Sequence, residues 1–114
     1  MSGEAVCASR GLVDGGPGVR FQVPYEGVEL PAFLVRFEGR VYGYLNRCMH
    51  VLFELDSGSS VFFDDDGRSL LCSAHGALYD PRDGLCTLGP CKGMQLTPLK
   101  VEERDGKVYC LGAA

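Results

Sequence analysis

Residues 32–45 read AFLVRFEGRVYGYL. Ala32 to Phe37 is apolar, aromatic and β-branched, Glu38-Gly39 is a turn, and Val41 to Leu45 returns, which is the signature of a β-hairpin. Working outward, Val19 to Val23 predicts a short strand ending at Pro24. Toward the C-terminus, Leu99 to Glu103 and Lys107 to Leu111 flank Arg104-Asp105-Gly106, another hairpin with an Asp-Gly turn. Between these pairs lie short runs set off by turn residues. Ser60 to Phe63 leads into three Asp and Gly67, and Ser69 to Cys72 follows, so Asp66-Gly67 reads as a further hairpin turn. Ala77 to Tyr79 precedes Asp80-Pro81-Arg82-Asp83-Gly84, a strong turn by composition. Leu85-Cys86-Thr87 leads into the loop Gly89-Pro90-Cys91-Lys92-Gly93. No stretch holds a 3.6-residue period over 11 residues, and Val51 to Leu55 supplies one helical turn at most. Short strands with turns every 8–12 residues predict an all-β, antiparallel sandwich or small barrel.

The chain has 114 residues, which predicts one domain. The first 18 residues are small and Gly-rich, with Gly15, Gly16 and Gly18, and read as a flexible, loosely attached segment. The folded domain is then expected over residues 19–114. A net charge of −4, with 11 Lys and Arg spread along the chain, lacks the basic patch that nucleic-acid binding needs. No apolar run approaches the ~18 residues of a membrane span. The N-terminus shows no secretory signal, so the expected location is cytoplasmic. There cysteines stay reduced, and the six of this chain ask for a metal or redox explanation before a disulfide one.

Both histidines sit beside cysteines, in Cys48-Met49-His50 and Cys72-Ser73-Ala74-His75, with 21 residues between His50 and Cys72. Each pair lies in a loop at the end of a predicted strand, and two such loops can meet at one end of a sandwich. Together they offer two thiolates and two imidazoles. Thiolates hold iron–sulfur clusters, zinc or Cu(I), and zinc could take the same four ligands tetrahedrally. Replacing two thiolates of a cluster by neutral imidazoles makes the site less negative and raises its reduction potential.

The surrounding sequence resembles the Rieske 2Fe–2S family. The matching pieces are C-x-H at Cys48–His50, C-x-x-H-G at Cys72–Gly76, an aromatic-Asp step at Tyr79-Asp80, and the loop at Gly89-Pro90. The resemblance spans roughly residues 20–112, with the cluster-binding part at about 46–93. It implies a Rieske-like sandwich or small barrel with a cluster-binding subdomain of two loops. It implies that Cys48 and Cys72 ligate the inner iron and His50 and His75 the outer one. Gly89 and Pro90 would form the loop capping the cluster. Gly76 would permit close packing there, and the Tyr79 hydroxyl falls where respiratory members bond a ligand sulfur; core packing explains Tyr79 equally well.

Departures from the respiratory members set an expectation for the potential. Phe53 and Ala74 stand where those members carry the two cysteines of a disulfide clamp, and Ala77 replaces a Ser that bonds a bridging sulfide. Fewer hydrogen bonds to sulfur predict a low potential, nearer the ~−150 mV end of the range for such centres. The spacer between the motifs is longer than in compact members, and Gly58, Ser59 and Asp64 to Asp66 predict extra loop there. Asp64 to Asp66 reads as a solvated turn or as a patch that steers a basic reductase. Met49, Leu52, Phe53, Leu88 and Pro90 read as loop packing or as an apolar collar for a partner. Cys86 and Cys91 could staple the Gly-Pro loop or remain thiols; Cys7 and Cys110 have no companion in sequence.

With both histidines committed as ligands, the chain offers no general base or nucleophile. The implied function is one-electron transfer between a reductase and a terminal oxygenase or similar redox enzyme. The alternatives are a small subunit of a nitrite-reductase-type complex, a redox sensor, or a zinc-stabilised interaction domain.

Overall fold

The computed structural model describes residues 5–47, 54–56, 58–72, 76–90 and 92–113. Among these residues the strands are β1 (Cys7–Ala8), β2 (Val19–Tyr25), β3 (Val28–Phe37), β4 (Arg40–Leu45), β5 (Leu70–Leu71), β6 (Leu78–Tyr79), β7 (Cys86–Leu88), β8 (Pro98–Arg104) and β9 (Lys107–Ala113), with one 3-10 turn at Ser9–Gly11. A six-stranded sheet runs β1-β9-β8-β4-β3-β2 and a three-stranded sheet runs β5-β6-β7, with every pairing between named strands antiparallel. The expected all-β antiparallel architecture is therefore present, as a nearly closed barrel. A groove of about 730 Å³ lies beside β2 and β9, lined by Val6, Phe21, Val23, Pro24, Cys110 and Leu111 among others.

Three tight turns set the register of the large sheet. Glu26-Gly27, Glu38-Gly39 and Asp105-Gly106 all carry positive φ at both positions, at +50/+86°, +52/+83° and +53/+75°. That backbone matches the twist of the strands it joins. The first of these hairpins is longer than the sequence reading, which ended β2 at Pro24 and began β3 at Ala32. Pro24 and Pro31 both lie inside strands. Pro24 is tolerated because β2 is the outermost strand, where a missing N–H need not leave a ladder bond unmade.

Among the described residues before 19, the chain is tied down rather than loose. β1 pairs with β9, the Val6 N–H donates to the Val108 carbonyl at 2.8 Å, and Leu12 is buried. The Arg36 guanidinium donates to the carbonyls of Leu12 and Ser9 at 2.8 and 3.1 Å and pairs with Glu103. Gly18 serves close packing: a Cβ there would stand 2.6 Å from the Phe62 ring.

One core cluster unites the two sheets. Phe33, Val35 and Tyr44 come from the large sheet, and Leu70, Cys72, Ala77, Tyr79 and Cys86 from the small one and its loops. Phe33 stacks on Phe62 at 4.0 Å between ring centroids.

Candidate metal centre

Of the four Cys and His residues singled out by the sequence, Cys72 lies among the described residues. Cys48, His50 and His75 fall outside them, as do Met49, Leu52, Phe53, Ala74 and Cys91. Among the described residues no group of three or more His, Cys, Asp or Glu is placed to hold a metal ion.

Cys72 follows β5 directly and is fully buried. Its N–H donates to the Ala77 carbonyl at 2.9 Å, and its carbonyl accepts from the Gly76 N–H at 2.8 Å. These two bonds tie Cys72 to Gly76 and Ala77, and the three residues form a knuckle. Gly76 has φ +72° and an added Cβ would meet nothing within 4 Å. The positive φ by itself favours glycine at this position.

The Gly89-Pro90 loop lies against that knuckle. Gly89 has φ +108°, and a Cβ on it would stand 2.9 Å from the Ala77 Cα. Only glycine lets the two loops approach this closely. The loop is held by Lys92 N–H to the Gly89 carbonyl at 3.2 Å and by Cys86 N–H to the Met94 carbonyl at 2.7 Å. The Cys86 sulfur is buried, 3.3 Å from the Leu88 carbonyl oxygen. Tyr79 is fully buried in the shared core cluster. Pro90 is exposed, and with Leu85, Leu88 and Met94, all exposed, it lies on the β7 segment and the loop beyond it. Leu85 and Met94 were not singled out by the sequence reading, because their exposure depends on which way β7 faces.

A buried tyrosine joins this region to the large sheet. The Tyr44 hydroxyl donates to the Pro81 carbonyl at 2.7 Å, and Gly84 packs against the Tyr44 ring. Burial, then the nearby carboxylate of Asp83, pushes the Tyr44 phenol well above its usual range. The turn itself is held by Asp80, whose Oδ1 accepts from the Arg82 N–H at 2.9 Å. The Arg82 side chain beside it holds the Asp80 carboxyl below its usual range.

Asn46, just before the segment bearing the first Cys-His pair, and Leu55 and Asp56, just after it, are all three buried. Asn46 Oδ1 accepts from the Leu55 N–H at 2.9 Å, and Asn46 Nδ2 donates to Asp56 Oδ1 at 3.2 Å. Sequence reasoning missed Asn46, Asp56 and their partner Arg20. Single polar residues beside a motif carry no periodicity, and only the fold shows that they meet.

The Rieske [2Fe-2S] domain family matches the chain over residues 4–103, and the chain belongs to that family. Among solved structures, one similar chain is from the complex of reduced oxygenase and oxidized ferredoxin in carbazole 1,9a-dioxygenase. It is 26% identical, with 94% of this chain and 90% of that chain covered and a TM-score of 0.70. The ferredoxin of carbazole 1,9a-dioxygenase from Nocardioides aromaticivorans is 24% identical, with 94% of each chain covered and a TM-score of 0.69. A ferredoxin of Sphingomonas yanoikuyae is 22% identical, with 94% of this chain and 95% of that chain covered and a TM-score of 0.68. No curated protein matches the sequence.

The family's cofactor is a 2Fe–2S cluster held by two Cys and two His. The residues present fit it. The chain holds a soft-plus-imidazole donor set in the right order, Cys72 is tied to Gly76 and Ala77, and a glycine-permitted contact brings the Gly89-Pro90 loop onto Ala77.

Proposed function

We propose that this chain is a Rieske-type ferredoxin that carries single electrons from a reductase to a terminal oxygenase. Cys48 and Cys72 hold the inner iron, and His50 and His75 hold the outer one. The bound cluster supplies a reversible one-electron couple. The chain's own part is to bury the Cys72 side of the site, to fix the loops, and to leave an apolar face for docking. Leu88 and Pro90, with Leu85 and Met94, are the exposed apolar residues of this region on which docking would draw. The observation that carries the reading is the Cys72–Ala77 knuckle locked beneath Gly89. The match to a ferredoxin chain solved in complex with its oxygenase supports the choice of partner.

This reading places the protein in the cytoplasm, where thiolate ligands stay reduced. No helix among the described residues is long and apolar enough to cross a membrane. It also assigns a low potential, because Ala77 is buried beside the knuckle with no hydroxyl to donate toward sulfur.

The test is a visible and EPR spectrum of the purified protein with iron, sulfide and zinc analysis. About two iron and two sulfide per chain, with colour bleached by dithionite, is the expected result. One zinc and no sulfide after iron-replete anaerobic expression overturns it. Cys72→Ser and His75→Ser are expected to abolish the native spectrum, and His75→Cys to lower the potential if a cluster assembles.

A further inference from the structure

We propose that Asn46, Asp56 and Arg20 form a positioning staple for the first ligand segment. The staple governs how tightly that segment retains metal. The inference rests on the reading that Cys48 and His50 are ligands.

The staple joins three separate parts of the fold. Asn46 directly follows β4, Asp56 lies beyond the segment bearing Cys48 and His50, and Arg20 is on β2. Both ends of the Asn46 amide are used: Oδ1 accepts from the Leu55 N–H at 2.9 Å and Nδ2 donates to Asp56 Oδ1 at 3.2 Å. Asp56 Oδ2 then accepts from the Ser60 N–H at 2.8 Å and pairs with Arg20 Nε at 3.0 Å. Arg20 Nη2 reaches Glu54 Oε1 at 2.6 Å, taking hold of the returning chain a second time. The Asp56 side chain is 0% exposed and its Arg20 partner 37%.

A carboxylate withdrawn from water gains little net stability from its ion pair. What such a network supplies is a fixed geometry, because every donor and acceptor in it has one satisfied arrangement. Here the geometry fixed is the separation of the two ends, at Asn46 and Leu55, from which the segment with Cys48 and His50 emerges. In a chain whose Phe53 and Ala74 exclude a disulfide clamp, this side-chain staple holds the described ends of the first loop.

The experiment uses the holoprotein. Asn46→Ala deletes both amide bonds. Asp56→Asn keeps the shape but turns an NH2 group onto a donor in either orientation. Arg20→Gln removes the outer cation and is the mildest change, so it decides if the other two fail to fold. Arg104→Gln, which breaks the exposed Arg104–Glu102 pair, is the reference. Iron release to excess chelator, read from visible absorbance, is followed beside the EPR spectrum of the reduced protein. Release about ten-fold faster in Asn46→Ala and Asp56→Asn, and a few-fold faster in Arg20→Gln, with displaced g values and Arg104→Gln unchanged, is the expected result. Wild-type release and superimposable EPR in the folded staple variants overturn the staple, whatever their melting temperatures. Cys48→Ser separates the two layers. A native cluster in Cys48→Ser overturns the ligand reading and the staple with it, whereas its loss beside unaltered staple variants overturns the staple alone.

Discussion

The two sheets are made of similar residues but are held by different forces. In the large sheet β3 runs ten residues and β2, β8 and β9 seven each, so hydrogen-bonded ladders carry the register. In the small sheet β5 and β6 have two residues and β7 has three. Strands that short do not stand alone in water. What holds them is the packed cluster shared with the large sheet, two positive-φ glycines, and side-chain bonds such as Tyr44 to Pro81. The part of the molecule that presents Cys72 therefore relies on packed side chains and a few isolated backbone bonds, and the part that supports it on long backbone ladders.

This contrast is broken most completely at the shared cluster. Phe33 is fully buried and stacks on Phe62. Phe33→Ala is expected to cost about 3–5 kcal/mol. Denaturant unfolding followed by far-UV and by cluster absorbance should shift together, because one cluster supports both sheets. A shift confined to one probe would show that the sheets are independent. Next comes Gly89→Ala, which sets a Cβ 2.9 Å from the Ala77 Cα in a φ region that L residues avoid. Its expected cost is about 1–3 kcal/mol, with cluster absorbance lost before far-UV signal. Loss of both signals at one midpoint would argue against a local role.

Tyr44→Phe tests the link between the sheets. It removes the donor to the Pro81 carbonyl, at an expected cost of about 1 kcal/mol. The pH dependence gives a second handle. An unfolded tyrosine ionises near ~10, while burial raises the folded Tyr44 phenol above that. The folded state then keeps a proton that the unfolded state loses, so stability falls as pH rises beyond ~10. Denaturation midpoints between pH 9 and 11 should fall less steeply in Tyr44→Phe. An unchanged slope would remove Tyr44 from the account. Ala77→Ser is smaller and acts on function: one added donor of about 1 kcal/mol corresponds to roughly 40 mV for one electron. Spectroelectrochemistry should find the potential raised; a fall or no change would mean the hydroxyl does not point at sulfur.

The sequence was most legible where backbone decides. Glu38-Gly39 and Asp105-Gly106 announced their hairpins, and the two Cys-His spacings with Gly89-Pro90 led to the family. The Glu26-Gly27 hairpin carried the same signal as Glu38-Gly39 and was overlooked because Pro24 was read as the end of its strand; the edge position of β2 removes that penalty. The segment up to residue 18 looked loose because its glycines were read as freedom, whereas Gly18 is required by contact with Phe62. The Arg36 bonds that bind the segment span 24 and 27 positions of sequence and leave no local pattern. Asn46 and Asp56 were invisible for the same reason: their value lies in partners that only the fold supplies.

The smallest expected effect concerns an ion pair on the backbone-held side. The Arg36 guanidinium beside Glu103 holds its carboxyl below the usual range. As pH falls through the ordinary Glu value near ~4.3, the unfolded chain takes up a proton that folded Glu103 refuses. The stabilisation is complete above that value and is lost as pH falls through the lower folded value. Glu103→Gln should therefore flatten the acid limb of the stability curve between pH 5 and 3 and leave stability at pH 7 only slightly reduced. The reduction is small because Arg36 keeps its bonds to the Leu12 and Ser9 carbonyls and because the pair is partly exposed, at 16% for Arg36 and 33% for Glu103. A large loss at pH 7 would mean that Glu103 orients Arg36 for those carbonyls, and that side chains position the large sheet's edge as they do the small sheet.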